Sequence, residues 1–239
     1  MEGRYPYGVL FVLTRCTDPA QEDDWNDWYN TMHVEDACSL GLVANPTRYR
    51  NVGPHLNVNL GAARYLAIYE TDIKDLEGVK EQQVQGHNDV IRRGRMHPAM
   101  DTTLATMYRR IGPEFRSSTQ RRDVRGLKLI MTECNDPTKE QEFHDWYNNV
   151  HIPDILETGL FHTAYRFENA TPTQTPKMPR AGGSRFLTLY ETDSDDPSKQ
   201  ADEILAKWHP IWESRSRMTT LLDLGGRATF SKIWPEMTN

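Results

Sequence analysis

Cysteine is scarce here: three residues in 239 (Cys16, Cys38 and Cys134), odd in number and without CxxC spacing. That excludes a disulfide framework and a zinc knuckle and predicts reduced thiols. Basic charge is also short, with 28 Lys+Arg against 34 Asp+Glu and a formal net charge of −6, which excludes a strongly basic nucleic-acid binder. No long hydrophobic run is found. The opening stretch MEGRYPYGVLFVLT carries only a few consecutive apolar residues, too few for a secretory core or a membrane span. A soluble, cytoplasmic protein with no membrane partner is expected. There is no HExxH, EF-hand loop, P-loop or GxGxxG, and no histidine set has metal spacing. Neither a metal nor an organic cofactor is expected on these grounds. What remains is ordinary globular material, 37% hydrophobic and 26% charged, enough for a sizeable core.

A repeat organises the chain. LTRCTDPAQEDDWNDWYNTMHVEDACSLGL from Leu13 reads like MTECNDPTKEQEFHDWYNNVHIPDILETGL from Met131, an offset of 118. Further on, ARYLAIYETD ending at Asp72 matches SRFLTLYETD ending at Asp193, and the stretch from Tyr108 matches that from Phe230, so the offset drifts to 121 and then 122. The drift requires insertions, one of them in the Pro/Thr/Gly-rich stretch Asn169–Gly183. Two units (1–114 and 126–239) joined by a charged linker (115–125) are expected.

Each unit parses the same way. A short apolar strand (Val9–Leu13; Leu127–Met131) leads through an Asp-Pro turn into a helix, roughly Gln21–Leu40 or Lys139–Thr158, that stops at Gly41 or Gly159. A second strand (Thr47–Asn51; Thr163–Phe167) and a third (Arg64–Glu70; Arg185–Glu191) should pair antiparallel. A second helix, about Asp75–Arg95 or Pro197–Met218, the latter with a kink at Pro210, precedes a last strand near Thr106–Ile111 or Ala228–Ile233. The order is βαββαβ, an α+β class: two tandem ferredoxin-like units whose bare sheet faces can bury each other.

The motif Trp28-Tyr29-Asn30-Thr31-Met32-His33…Asp36 recurs as Trp146-Tyr147-Asn148-Asn149-Val150-His151…Asp154. With it the sequence resembles the dimeric α/β-barrel superfamily, in its EthD-like or polyketide-cyclase-like branch. The resemblance covers both units and implies a tandem fusion that builds the barrel within one chain. It implies no single reaction, since the superfamily spans isomerases, cyclases, lyases, dehydratases, monooxygenases and heme enzymes.

In the second unit His144, Tyr147, His151 and Asp154 fall at i, i+3, i+7 and i+10, one side of a helix. An imidazole that takes or gives a proton, a carboxylate that orients it and a phenol that polarises an oxygen make an acid–base set. The first unit keeps Tyr29, His33 and Asp36 but has Asn26 in place of His144, so the second is expected to be the more active. The alternative is packing, with each histidine bracing a neighbouring strand, and the sequence leaves both open. Trp28 and Trp146 are expected in the core. Tyr65, Ala67 and Tyr69 alternate with apolar neighbours, as do Phe186, Thr188 and Tyr190, and such a face suits a flat ligand or simply fills the space between sheets. Arg48 and Arg166, matched between units, can bind a carboxylate or phenolate, though pairing with an acidic neighbour is the default. His55 and His162 read as loop residues, and His87, His97 and His209 lack motif context. Asp23-Asp24 and Asp195-Asp196 read as solvated helix-start charges.

The leading expectation is a cofactor-independent lyase, isomerase, cyclase or dehydratase acting on an aromatic or polyketide-like small molecule. His151, or His33, would be the acid or base, Asp154 or Asp36 its orienting partner, and Tyr147 or Tyr29 the donor to an oxyanion. His144, Arg166, Arg48, Tyr65, Tyr69 and Tyr190 would contact substrate. The alternatives are a heme enzyme, since chlorite-dismutase-like and dye-peroxidase-like relatives also carry two ferredoxin-like units per chain, and a non-catalytic binding barrel. A homodimer is the default assembly.

Overall fold

Alternation along the short strands decides what faces what. In the first strand Val9, Phe11 and Leu13 join one buried cluster while Leu10 and Val12 join another, so both faces are covered. The computed structural model describes residues 1–53, 63–117 and 123–235. The strands are β1 (Gly8–Cys16), β2 (Ala44–Asn51), β3 (Tyr65–Thr71), β4 (Met100–Arg116), β5 (Gly126–Cys134), β6 (Thr163–Asn169), β7 (Phe186–Thr192) and β8 (Leu222–Trp234). They close into one antiparallel barrel in the order β1-β3-β2-β8-β5-β7-β6-β4. The two four-stranded sheets meet at β2 with β8, where Arg48 lies opposite Trp234, and at β4 with β6, where Tyr108 lies opposite Asn169. The interior is a packed apolar core from both halves, including Phe11, Ile68, Leu129, Phe167 and Leu189. The expected α+β architecture of paired ferredoxin-like units is what the structure shows. Closure uses every sheet edge, so the edge-to-edge homodimer that open sheets would have allowed has no edge to form on among the described residues. No helix of the described residues is long and apolar enough to cross a membrane.

Helix α1 runs α-helical over Glu22–Trp28, π-helical over Tyr29–His33 and α-helical again over Val34–Cys38. α2 is Leu76–Arg92. α3 repeats α1 as Glu140–Trp146, a π turn Tyr147–His151, and Ile152–Glu157. α4 comprises Pro197–Glu203, a π turn Ile204–Trp208, and His209–Ser214. The Asp-Pro turns work as expected: Asp18 and Asp136 accept the backbone N–H of Ala20 and Thr138 at 3.0 Å. Gly41 (φ 68°) and Gly159 (φ 74°) end the helices in the left-handed region. Cys16 and Cys134 donate their thiols to the carbonyls of Asp18 and Asp136, which explains their match in the repeat.

The drift of the repeat now has a second cause. Three residues are added in the β6–β7 loop, and the last falls between Asp193 and Arg217, where α4 takes a π turn and α2 does not. The expected kink at Pro210 is replaced by that turn just upstream. Of the expected linker, residues 115–116 belong to β4, while 118–122 and His55 lie outside the described residues.

Candidate functional site

The WYxxxHxxD helix is tied down at two points, identically in both halves. Trp28 Nε1 donates to the Arg95 carbonyl at 2.8 Å, and Trp146 Nε1 donates to the Arg217 carbonyl at 2.7 Å. The same arginines return a two-pronged ion pair: Arg95 to Asp36 at 2.9 and 3.0 Å, Arg217 to Asp154 at 2.6 Å for both bonds. Asp36 and Asp154 therefore anchor the helix to the segment after the second helix of their own half and make no hydrogen bond to His33 or His151, which corrects their expected orienting role. Trp28 and Trp146 are only half-buried. They stack on the motif histidines, at 4.9 Å for His33 and 4.6 Å for His151, while Trp25 and Phe143 take the fully buried places.

Arg48 and Arg166 are 1% and 2% exposed and already engaged. Arg48 donates to Asn30 Oδ1 at 2.5 Å and Asn26 Oδ1 at 2.9 Å, and lies 3.9 Å over the Tyr29 ring. Arg166 donates to Asn148 Oδ1 at 2.8 Å and His144 Nδ1 at 2.9 Å, 4.4 Å over Tyr147. Neither pairs with a carboxylate, contrary to the default. An Arg that donates to Nδ1 fixes His144 as a neutral imidazole, and burial with Arg166 beside it lowers the His144 pKa. Both guanidiniums clamp helix to sheet, so the expected substrate roles of Arg48, Arg166 and His144 go unsupported.

The aromatic strand faces lie under the helices, while Leu66, Ile68, Leu187 and Leu189 fill the barrel. Tyr65 is held by Glu22 at 2.8 Å and Asn26 at 3.1 Å. Tyr29, Tyr69, Tyr147 and Tyr190 are fully buried, Tyr29 and Tyr69 facing each other and Tyr147 facing Thr132 and Thr188, and burial raises the pKa of each, so all four stay protonated.

The halves part company beneath the second helix. In the first, α1, α2, the outer face of β1, β3 and β4, and Pro179 and Arg180 of the β6–β7 loop enclose a cavity of about 410 Å³, within the usual range for a small-molecule site. His33 and His87 line it with their rings 6.1 Å apart and nearly perpendicular, beside Tyr29, Tyr69 and Lys80. His33 Nδ1 is buried without a partner. Burial first, then the neighbouring His87 and Arg48 charges, bring the His33 pKa down to about 3. His87 is lowered by burial and by Lys80. In the second half Trp212, aligned with Val90 of the cavity wall, sets its ring 6.3 Å from His151 and joins Ile204, Ile155 and Tyr190 in a packed cluster. The cavity thus lies in the half expected to be the less active. Sequence reading missed Lys80 and the part played by His87, and it missed that the long loop of one half closes the cavity of the other. Among the remaining residues, His162 is buried and bonded to Thr163 at 2.8 Å instead of exposed. His97 meets Asp24 at 3.1 Å, and Asp195 pairs with Arg125 at 2.6 Å.

No family model matches the chain. One sequence relative, core atranone cluster (CAC) protein 1 of Stachybotrys chlorohalonatus, is 41% identical over 93 residues, spanning 33% of this chain and 40% of that protein. Among solved structures the chain is similar to a dye-decolorizing peroxidase from Bacteroides thetaiotaomicron (TM-score 0.57, 9% identity, 96% of this chain and 94% of that one). It is also similar to a DypB variant of Rhodococcus jostii in complex with heme (TM-score 0.54, 9% identity, 95% and 93%) and to a chlorite dismutase mutant of Candidatus Nitrospira defluvii (TM-score 0.50, 10% identity, 95% and 92%). At such identity these neighbours show the shared duplicated ferredoxin-like barrel and not the EthD-like branch. By their names they are two peroxidase-type proteins and a chlorite dismutase, one of them with heme bound.

Whether heme fits depends on the half. Heme held through histidine needs that imidazole neutral, and its carboxylates favour nearby cations. The first half offers both, in the neutral imidazoles of His33 and His87 and in Lys80 at the cavity wall. The second does not, because Trp146 and Trp212 bracket His151.

Proposed function

We propose that the chain is an enzyme that works on a largely apolar, conjugated small molecule in the first-half cavity. The observation that carries this reading is the convergence on one cavity of two neutral imidazoles, two buried phenols and a buried amine. Buried polar groups left without partners are costly unless something else satisfies them, and a ligand does so. An imidazole whose pKa falls near 3 is a weak base, so His33 serves as a neutral hydrogen-bonding group facing the ligand. The Tyr29 and Tyr69 phenols, once turned toward the ligand, donate to an oxygen that gains negative charge as His87, the other imidazole of the wall, takes a proton from carbon. Trp28, Asp36 and Arg95 hold the helix that presents His33 and Tyr29. The relative named for an atranone cluster supports a setting of small-molecule chemistry.

A second reading is favoured by the neutral histidine pair together with the heme-bound structural neighbour. His33 or His87 would hold the iron, and Lys80 would face the carboxylates. Bound there, heme would supply electron-transfer or peroxide chemistry.

Hemin titration followed by absorption spectroscopy separates the two. A Soret band that saturates at one hemin per chain and disappears in a H33A/H87A double variant establishes the heme form. A spectrum indistinguishable from free hemin removes it. For proton transfer, a panel of aromatic and polyketide-like ketones incubated in deuterium oxide is read by mass spectrometry. Deuterium incorporation that falls in Y29F and H33A but persists in H151A is expected, and the reverse pattern would sink the first-half assignment.

A further inference from the structure

Lys80 stands on the second turn of α2, is 3% exposed, and lines the cavity. No carboxylate of the described residues lies within ion-pairing distance of its amine. The cavity does have two acids on its wall, but both are spent: Asp36 on the two-pronged pair with Arg95, Asp101 on Arg15 at 2.8 Å and Arg180 at 3.8 Å. Gln83, one turn on, gives its amide to the Ala37 carbonyl at 3.0 Å. A buried ammonium without a counterion is expensive, and folded proteins keep one only where something repays it. Here burial alone draws the Lys80 pKa down to about 8, which still leaves the amine mostly protonated at neutral pH.

The rest of the cavity gives the shape of what repays it. Lys80, Val84, His87 and Ile91 follow one face of α2, so the cavity wall extends about 16 Å along the helix from Lys80 to Ile91. The inner end holds the ammonium. The end beside Ile91 is the more open, with Ile91 50% and Leu40 46% exposed next to the Arg95–Asp36 pair. An isolated exposed Leu or Ile is ordinary, whereas two at the mouth of a cavity whose far end carries a lone cation describe an amphipathic ligand entering acid first.

We propose that the ligand of this cavity is an elongated apolar molecule bearing an ionised acid, a carboxylate or an equally acidic enol, which Lys80 holds at the closed end while Leu40 and Ile91 grip its tail. This rests on the first-half cavity being the functional site and adds the substrate class. Lys80 is an anchor in it, beside the His33 and Tyr29 face.

The test is calorimetric titration of the full chain with 2-naphthoate and with its uncharged counterpart 2-naphthylmethanol, on wild type, K80M and K80R. Wild type is expected to bind the anion about tenfold more tightly than the alcohol. K80M should erase that difference by weakening naphthoate alone, and K80R should restore it. K80M should also melt at a higher temperature than wild type, because it removes an unpaired buried charge and keeps the volume. Equal affinity for both probes in wild type, or an anion preference that survives K80M, overturns the acid-binding inference and leaves the cavity as the functional site. If neither probe binds, both the inference and that reading fall.

Discussion

The two halves share a helix motif, a tryptophan–arginine–aspartate clamp and a stacked histidine, yet beneath that histidine the first half has a cavity where the second sets the Trp212 ring. The difference lies on the second helix. Val90 leaves space facing His33, while its counterpart Trp212 sets an indole beside His151. The duplicated clamp is what the fold needs, since it holds the motif helix in both halves whatever packs beneath. The cavity and Lys80 are what one half has beyond the fold, since His87 has its counterpart in His209, which neighbours His151 in the same way. Each half does bury a lysine, but from different elements: Lys80 on α2, Lys128 on β5 at the position of Leu10. Both fall to about 8 through burial, and only Lys80 faces a cavity of ligand size.

The largest effect should come from exchanging the wall residues. W212V removes most of a 4% exposed indole from a packed cluster and should cost about 3 kcal/mol, near the low end for large-to-small core changes. Urea denaturation measures it. V90W in the first half should cost less, because it grows into empty space, and should abolish 2-naphthylmethanol binding. If W212V proves nearly neutral, the second half is not packed as described and the contrast between the halves fails.

Next in size is the clamp. R95M and R217M each strand a carboxylate, and the Asp154 side chain (8% exposed) is the more buried of the two, against 16% for Asp36. R217M should therefore lower the melting temperature more than R95M, with shifts on the order of 2–4 °C. Equal shifts would mean that burial of the aspartate does not set the strength of the clamp.

The contrast also shows what was legible beforehand. The repeat, the Asp-Pro caps, the glycine stops and the alternation of Val9, Phe11 and Leu13 are local signals, and each formed as read. The role of Asp36 was not legible, because its partner Arg95 lies 59 residues on, and a motif read along one helix favours the histidine beside it. His144 misled for the same reason. It looked like an extra catalytic group and proves to be the counterpart of Asn26 in holding a buried arginine. The location of the cavity turned on residue size at one matched position, Val90 against Trp212, which lies outside the motif. A lone lysine on a charged helix, such as Lys80, reads as surface until its neighbours are placed around it.

The smallest effect, and the sharpest test of the comparison, is the pH dependence of the two motif histidines. Both are lowered to about 3, each chiefly by burial, so their unfolded forms take up a proton near pH 6.5 that the folded forms refuse. Their contribution is complete above pH 6.5 and is lost as pH falls from there toward 3, because the unfolded state then binds more protons. Each histidine should cost the fold about 1 kcal/mol between pH 6.5 and 5.5, and H33Q and H151Q should each flatten the stability profile by that amount. The environments nonetheless differ: His151 is bracketed by two indoles, whereas His33 borders a cavity. Equal flattening in the two variants would mean that the cavity is as poor a solvent as a tryptophan wall, suited to an apolar ligand body. A distinctly weaker effect of H33Q would mean that water reaches His33 and restores its basicity, which would return that imidazole to the role of proton acceptor.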